Sequence, residues 1–243
     1  MPPTTPPSKT TRGARARRAL LLGGGALLLL YVVPFGRLFL WPLVLLSTLA
    51  HEAGHGIAAL AVGGEFTSLS LFLDASGVAT HRGVTEPVHL ALVAGGGLVG
   101  PSCVAALLFV AARSPRFARA SLVLAALTCV ALVVLVVENA FGVAFVALTG
   151  VALVALAWRA SSTIAQSAVV FLALTLGLSV FSRADYLFAR EAETGAGTLP
   201  SDTMQIAVAL GGPHLFWALV VGAFSLGVLV VGALSFAAKL DDT

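Results

Sequence analysis

His51-Glu52-Ala53-Gly54-His55 is the segment of this sequence with the residue types and spacing for chemistry. On a helix, His51 and His55 fall one turn apart on nearly the same face. Glu52 lies about 100° round from His51. Two imidazoles in that relation offer two nitrogen ligands to one zinc ion, and a carboxylate beside them can take a proton from zinc-bound water. The surroundings sharpen the reading. The motif sits in an apolar stretch from Leu38 to Val62, and titratable groups in hydrocarbon cost free energy unless something binds or pairs them. The chemistry implied is peptide-bond hydrolysis within a membrane. A histidine pair at a helix interface or on haem is the plainer alternative, but neither needs the Glu.

A catalytic zinc site takes three protein ligands and leaves the fourth position to water. The other histidines, His81, His89 and His214, fall near expected membrane boundaries, where an interfacial polar role is the ordinary one. Among the acids, Asp185 is the first candidate for third ligand, because it is expected near the cytoplasmic end of its helix at a depth like that of His55. Asp202 is the alternative; a helix-capping role competes, and its short helix would have to fold back into the membrane. Asp74 reads as a turn residue, and Asp241 and Asp242 as a solvated tail. Glu138-Asn139 is a polar pair between two apolar runs. It is either a cap or, through Asn139, a hydrogen-bond donor to substrate or oxyanion.

The elements that must hold these residues follow from composition. Of 243 residues, 58% are hydrophobic and 10% charged, and the mean hydropathy is +1.01. Soluble domains carry about 25% charged residues, so that class is excluded. The expectation is an all-α polytopic membrane protein, a single domain of six or seven transmembrane helices. A formal charge of +3, carried mostly by the N-terminus and loops, suits the lipid bilayer surface and not nucleic acid. Cys103 and Cys129 lie singly in apolar runs, so neither a disulfide framework nor a cysteine zinc site is indicated. The excess of Arg over Lys among abundant Ala, Val, Leu and Gly suggests a GC-rich bacterium, hence its cytoplasmic membrane.

Residues 1–18 read as a disordered basic tail, 19–238 as the transmembrane domain and 239–243 as a second tail. Expected spans are Ala19–Val33, Leu38–Val62, Val88–Ala112, Ala120–Val137, Ala140–Trp158, Ile164 to about Arg183, and His214–Ala238. The first is retained because Tyr31–Phe35 offers no small-residue cleavage site. Between the second and third spans, Phe66, Leu69, Leu71 and Leu73 recur among polar residues at a period near two. That predicts a β-hairpin at the membrane surface, with its turn at Ala75-Ser76-Gly77. Gly96 and Gly100 form a GxxxG pair that admits close helix approach. Glu191–Ser201 reads as a polar loop and Asp202–Leu210 as a short helix. With the N-terminus inside, eight basic residues face the cytoplasm against six outside.

Ala50-His51-Glu52-Ala53-Gly54-His55-Gly56, then Gly63-Gly64 and the strand-like Phe66–Leu73, resemble the site-2 protease family of intramembrane zinc metallopeptidases, and within it the compact bacterial peptidase-like branch. Gly97-Leu98-Val99-Gly100-Pro101 looks like the family's Gly-Pro segment. Ser201-Asp202 with Pro213 and Trp217 looks like a C-terminal pattern of the compact branch. The resemblance covers Leu38–Ala112 well and the C-terminal part loosely. It implies Zn2+ on His51 and His55, Glu52 as the catalytic acid and base, and regulated intramembrane proteolysis. The partner is then a transmembrane segment of another membrane protein, presented in unwound form by the hairpin through Phe66, Ser68 and Ser70. One departure stands: the Leu-Asp-Gly that supplies the family's third ligand is absent, so Asp185 and Asp202 both stay open. A catalytically inactive scaffold or chaperone that binds transmembrane helices is the competing reading. A transporter is a third, though no internal repeat supports it.

Overall fold

The structure, a computed structural model, describes residues 9–33, 36–182 and 187–238. Among these the chain runs α1 (Lys9–Val32), α2 (Gly36–Ala61), β1 (Glu65–Leu71), β2 (Gly77–Arg82), α3 (Pro87–Ala111), α4 (Pro115–Leu135), α5 (Ala140–Arg159) and α6 (Ser162–Ser182). It continues through β3 (Glu191–Thr194), β4 (Gly197–Pro200), α7 (Asp202–Leu210) and α8 (His214–Ala237). Six of the described helices, α2 to α6 and α8, are long and apolar enough to cross a membrane. Six of the seven expected spans recur with ends shifted by a few residues; the first, Ala19–Val33, falls in α1, which is not among the six. α1 starts at Lys9, inside the segment expected to be disordered; its Arg and Ala residues are strong helix formers.

Helix α3 is the post around which the site is built, in contact with α2, α6, α7 and α8. The GxxxG expectation is met on its α2 side. A Cβ on Gly100 would lie 2.9 Å from the Ala50 carbonyl oxygen, and one on Gly96 would lie 2.8 Å from that of Gly54. The two backbones therefore meet directly, as small residues permit.

The expected hairpin forms from β1 and β2, antiparallel, pairing Leu71 with Gly77, Ser70 with Val78, Leu69 with Ala79, Ser68 with Thr80 and Phe66 with His81. A bulge falls between Phe66 and Ser68. Its turn is tied from several sides. Asp74 Oδ1 accepts from the Ser76 amide at 2.9 Å and from the Ser76 hydroxyl at 2.6 Å, so Asp74 is the turn residue expected. Between them Ala75 holds φ 66°, a left-handed conformation that residues with a Cβ seldom adopt. The Thr48 hydroxyl donates to the Ala75 carbonyl at 2.7 Å and fastens the turn to α2.

The far edge of β1 is also occupied. The Leu69 amide donates to the Val136 carbonyl at 2.7 Å, and the Glu138 amide donates to the Leu69 carbonyl at 3.1 Å. Asn139 then continues the pairing with its side chain: Oδ1 accepts from the Leu71 amide at 3.2 Å and Nδ2 donates to the Leu71 carbonyl. Asn139 occupies the N-cap position of α5 but makes no side-chain capping bond, because its amide is spent on β1.

A second hairpin, β3–β4, stands where the sequence suggested only a polar loop, with Glu191 opposite Pro200 and Thr194 opposite Gly197. Its base is closed by Ser201, whose amide donates to the Arg190 carbonyl at 2.9 Å and whose hydroxyl donates to that of Ala189 at 2.7 Å. The same hydroxyl accepts from the Met204 amide at 3.3 Å and so caps α7.

Candidate metal centre

Helical spacing alone brings His51 and His55 together, with their Nε2 atoms 3.2 Å apart. Helix α3 supplies the rest of the His55 environment. Its Nδ1 lies 2.8 Å from the Val93 carbonyl, so Nδ1 carries the proton and donates it there, leaving the Nε2 lone pair for a metal. Such a backing bond fixes both tautomer and ring plane in histidine metal sites. The ring itself rests against Gly97, where any Cβ would collide with it.

Helix α7 contributes Asp202. Its Oδ2 lies 3.1 Å from His51 Nε2 and its Oδ1 3.4 Å from His55 Nε2. The carboxylate is 3% exposed, and Oδ2 makes no hydrogen bond of acceptable geometry. Ligands about 2.0–2.1 Å from a tetrahedral zinc stand roughly 3.3–3.4 Å from one another. The two imidazole nitrogens, 3.2 Å apart, meet that spacing, and the Asp202 carboxylate approaches each of them through a different oxygen, at 3.1 and 3.4 Å; one atom from each residue lies within 4.8 Å of the others. Two neutral nitrogens and one buried carboxylate, one of whose oxygens has no hydrogen bond, fit zinc.

Glu52 completes the group. It is 6% exposed, and β2 crosses directly beside it: a Cβ on Gly77 would lie 2.8 Å from Glu52 Cγ. Two cavities reach its carboxylate. One of about 70 Å³ is lined in part by Ser47, Thr48, His51 and Glu193. The other, about 80 Å³, is lined in part by His55, His81, Asp202 and Thr194. Each has room for water.

Of the residues expected at the site, His51, Glu52, His55 and Asp202 come together. Asp185 lies outside the described residues. Phe66 packs its ring against Gly56 of α2, and the Ser68 hydroxyl is bonded to that of Thr80 at 2.7 Å. Asn139 and the outer edge of β1, expected to meet substrate, are engaged with each other at Leu71, so β1 has no open edge there. The opening lies on β2. Since Leu69 and Leu71 turn their backbone groups outward, Ser68 and Ser70 make the bonds to β2 through Thr80 and Val78. Gly77 and Ala79 then direct N–H and C=O away from β1, and both line the cavity that holds His55 and Asp202.

His81 lines the same cavity, and its Nδ1 is buried without a hydrogen-bond partner. Burial, with a smaller contribution from nearby His55, lowers its pKa. The sequence suggested an interfacial residue there. Val93, Gly77 and Gly97 were not anticipated as site residues; a glycine beside a motif carries no mark of which side chain it accommodates.

These features describe a helical protein with apolar spans and a two-histidine, one-carboxylate group, beside an acid, that could hold a metal ion. A family profile described as Peptidase M50B-like matches residues 21–232, and the chain belongs to that family. Its six apolar helices and this membership make it a multi-pass membrane protein of metallopeptidase type. Neither a curated protein nor a solved structure matches the chain significantly.

Proposed function

We propose that the protein is an intramembrane zinc metalloprotease of the bacterial cytoplasmic membrane, cleaving peptide bonds in or near transmembrane segments of other membrane proteins. The observation that carries this is the convergence of His51, His55 and Asp202 at metal-ligand spacing with Glu52 beside them. A bound zinc ion supplies a Lewis acid for the scissile carbonyl and lowers the pKa of water toward neutrality. Glu52 takes the proton of the attacking water and delivers it to the leaving amine. Val93 holds the His55 ring in the ligating tautomer, and α7 carries Asp202 to the opposite side of the centre.

A helical substrate hides its amides in internal hydrogen bonds, so the segment cleaved has to be unwound. The outward backbone of Gly77 and Ala79 can pair with it by strand addition and lay its carbonyl beside Glu52. Replacing the expected β1 edge with the β2 edge keeps this role for the hairpin.

The test is zinc content together with cleavage. Purified wild type is expected to hold about one zinc per chain and to cleave a model transmembrane substrate, while Glu52→Gln keeps the zinc and loses cleavage. Wild type that holds no zinc would sink the proposal. Zinc-loaded wild type that binds transmembrane segments but leaves them intact would favour the inactive scaffold.

A further inference from the structure

Both cavities that reach Glu52 share one wall, the β3–β4 hairpin. Glu193 and Thr194 line the cavity that holds His51; Ala192, Thr194, Leu199 and Pro200 line the one that holds His55 and Asp202. Facing them across the second cavity are Gly77, Val78, Ala79 and His81 of β2. The gap between the open edge of β2 and the second hairpin is therefore a slot with the metal ligands and Glu52 inside it. At about 70 and 80 Å³, these cavities fall well short of the roughly 300 Å³ at which ordinary ligand pockets begin. An extended peptide cannot lie beside Glu52 until a wall moves.

The walls differ in how firmly they are held. Helices α2 and α3 meet backbone to backbone, and β1–β2 is tied to α2 and to the start of α5. The β3–β4 hairpin is tied at its base, where Ser201 bonds Arg190 and Ala189. At its tip, among the described residues, the Gly195 amide donates to the Ser76 hydroxyl at 2.9 Å. Asp74 takes the hydroxyl proton of Ser76, which leaves an oxygen lone pair for Gly195. Gly195 also lies flush on Phe72, where a Cβ would stand 2.7 Å from the Phe72 Cβ. The tip is exposed, as is every residue of β4.

We propose that the β3–β4 hairpin is a clamp over the peptide slot. It pivots at Arg190 and Ser201, is latched at rest by Ser76 and Phe72, and closes over an extended substrate segment lying along β2. The clamp presupposes the protease reading above and adds the element that admits and holds the substrate. Val78, Ala79, Ala192, Leu199 and Pro200 supply small or apolar wall on the two strands, while Glu52, His55, His81, Thr194, Asp202 and Gln205 line the same slot with polar groups; this suits an unwound stretch of small residues whose exposed backbone amides need polar partners.

The experiment locks the latch. Phe72→Cys with Gly195→Cys, in a chain carrying Cys103→Ser and Cys129→Ala, puts two thiols where an outward shift of about 1 Å at the exposed tip gives ordinary disulfide geometry. The oxidised protein is expected to keep its zinc while its binding of a synthetic transmembrane peptide falls at least about tenfold, recovering on reduction. Oxidised protein that binds the peptide as tightly as its reduced form overturns the clamp, as does a peptide that protects β2 amides from hydrogen exchange but not residues 191–200. In a second variant, Ser76→Ala, exchange at the Gly195 amide is expected to quicken by roughly five- to tenfold, the effect of one lost hydrogen bond; unchanged exchange overturns the latch. Zinc missing from wild type would instead defeat the protease reading. The clamp would then still be decided by the peptide-binding comparison.

Discussion

The two hairpins beside the metal centre share an antiparallel topology and differ in anchorage. β1–β2 is held along its length, by Thr48 at its turn and by Val136, Glu138 and Asn139 along β1. Its Leu69 and Leu71 are 0% exposed, whereas Leu199 of β4 is 39% exposed. Among the described residues, β3–β4 is held at its base and, at its tip, by the Gly195–Ser76 bond. A strand paired on both edges, as β1 is at Leu69 and Leu71, cannot shift without breaking several bonds together, so β1–β2 serves as a fixed template over Glu52, with the outer edge of β2 left open. A hairpin held only at its two ends can move as a unit. On the proposed clamp, the chain sets a rigid edge against a movable one, with the candidate ligand Asp202 following directly after the movable one.

That junction carries the largest expected effect. Asp202→Ala removes a metal ligand and should weaken zinc binding more than the roughly 10–100-fold typical of a lost supporting bond. Asp185→Ala should leave zinc content unchanged; metal analysis against a chelator series checks both. A fall in Asp185→Ala alone would detach β3–β4 from the metal centre altogether.

Next comes the rigid edge. Asn139→Ala strands the amide and carbonyl of Leu71, each worth about 1–3 kcal/mol when left unpaired and buried. The melting temperature in detergent should fall clearly, with hydrogen exchange rising along β1. Thr48→Val removes one bond at the turn and should cost about 1 kcal/mol, readable in the same melt. Thr198→Ala on β4 removes its exposed bond to Glu193 and should change stability by less than about 0.5 kcal/mol. Equal losses from Thr48→Val and Thr198→Ala would erase the contrast between the hairpins.

The spans were legible from length and hydropathy because hydrocarbon allows no other solution for a long apolar run. The first hairpin was legible because Phe66, Leu69 and Leu71 alternate with polar residues. The second was not: Glu191–Pro200 alternates too weakly, and its strands exist because Ser201 closes the base. Asn139 was legible as a polar residue at a helix start, but not as a substitute strand residue for β1. Asp202 was legible only as one of two acids, since depth along a helix says nothing about which helices meet.

His51, Glu52 and His55 needed no tertiary information, because the pitch of a helix sets their relation wherever that helix goes. Asp202, Val93 and the open edge of β2 were decided only by folding. Each depends on which backbones touch, and that was settled by close helix contact at Gly54, Gly96 and Gly100 and by hydrogen bonds between distant segments, for which no local pattern in the chain is required.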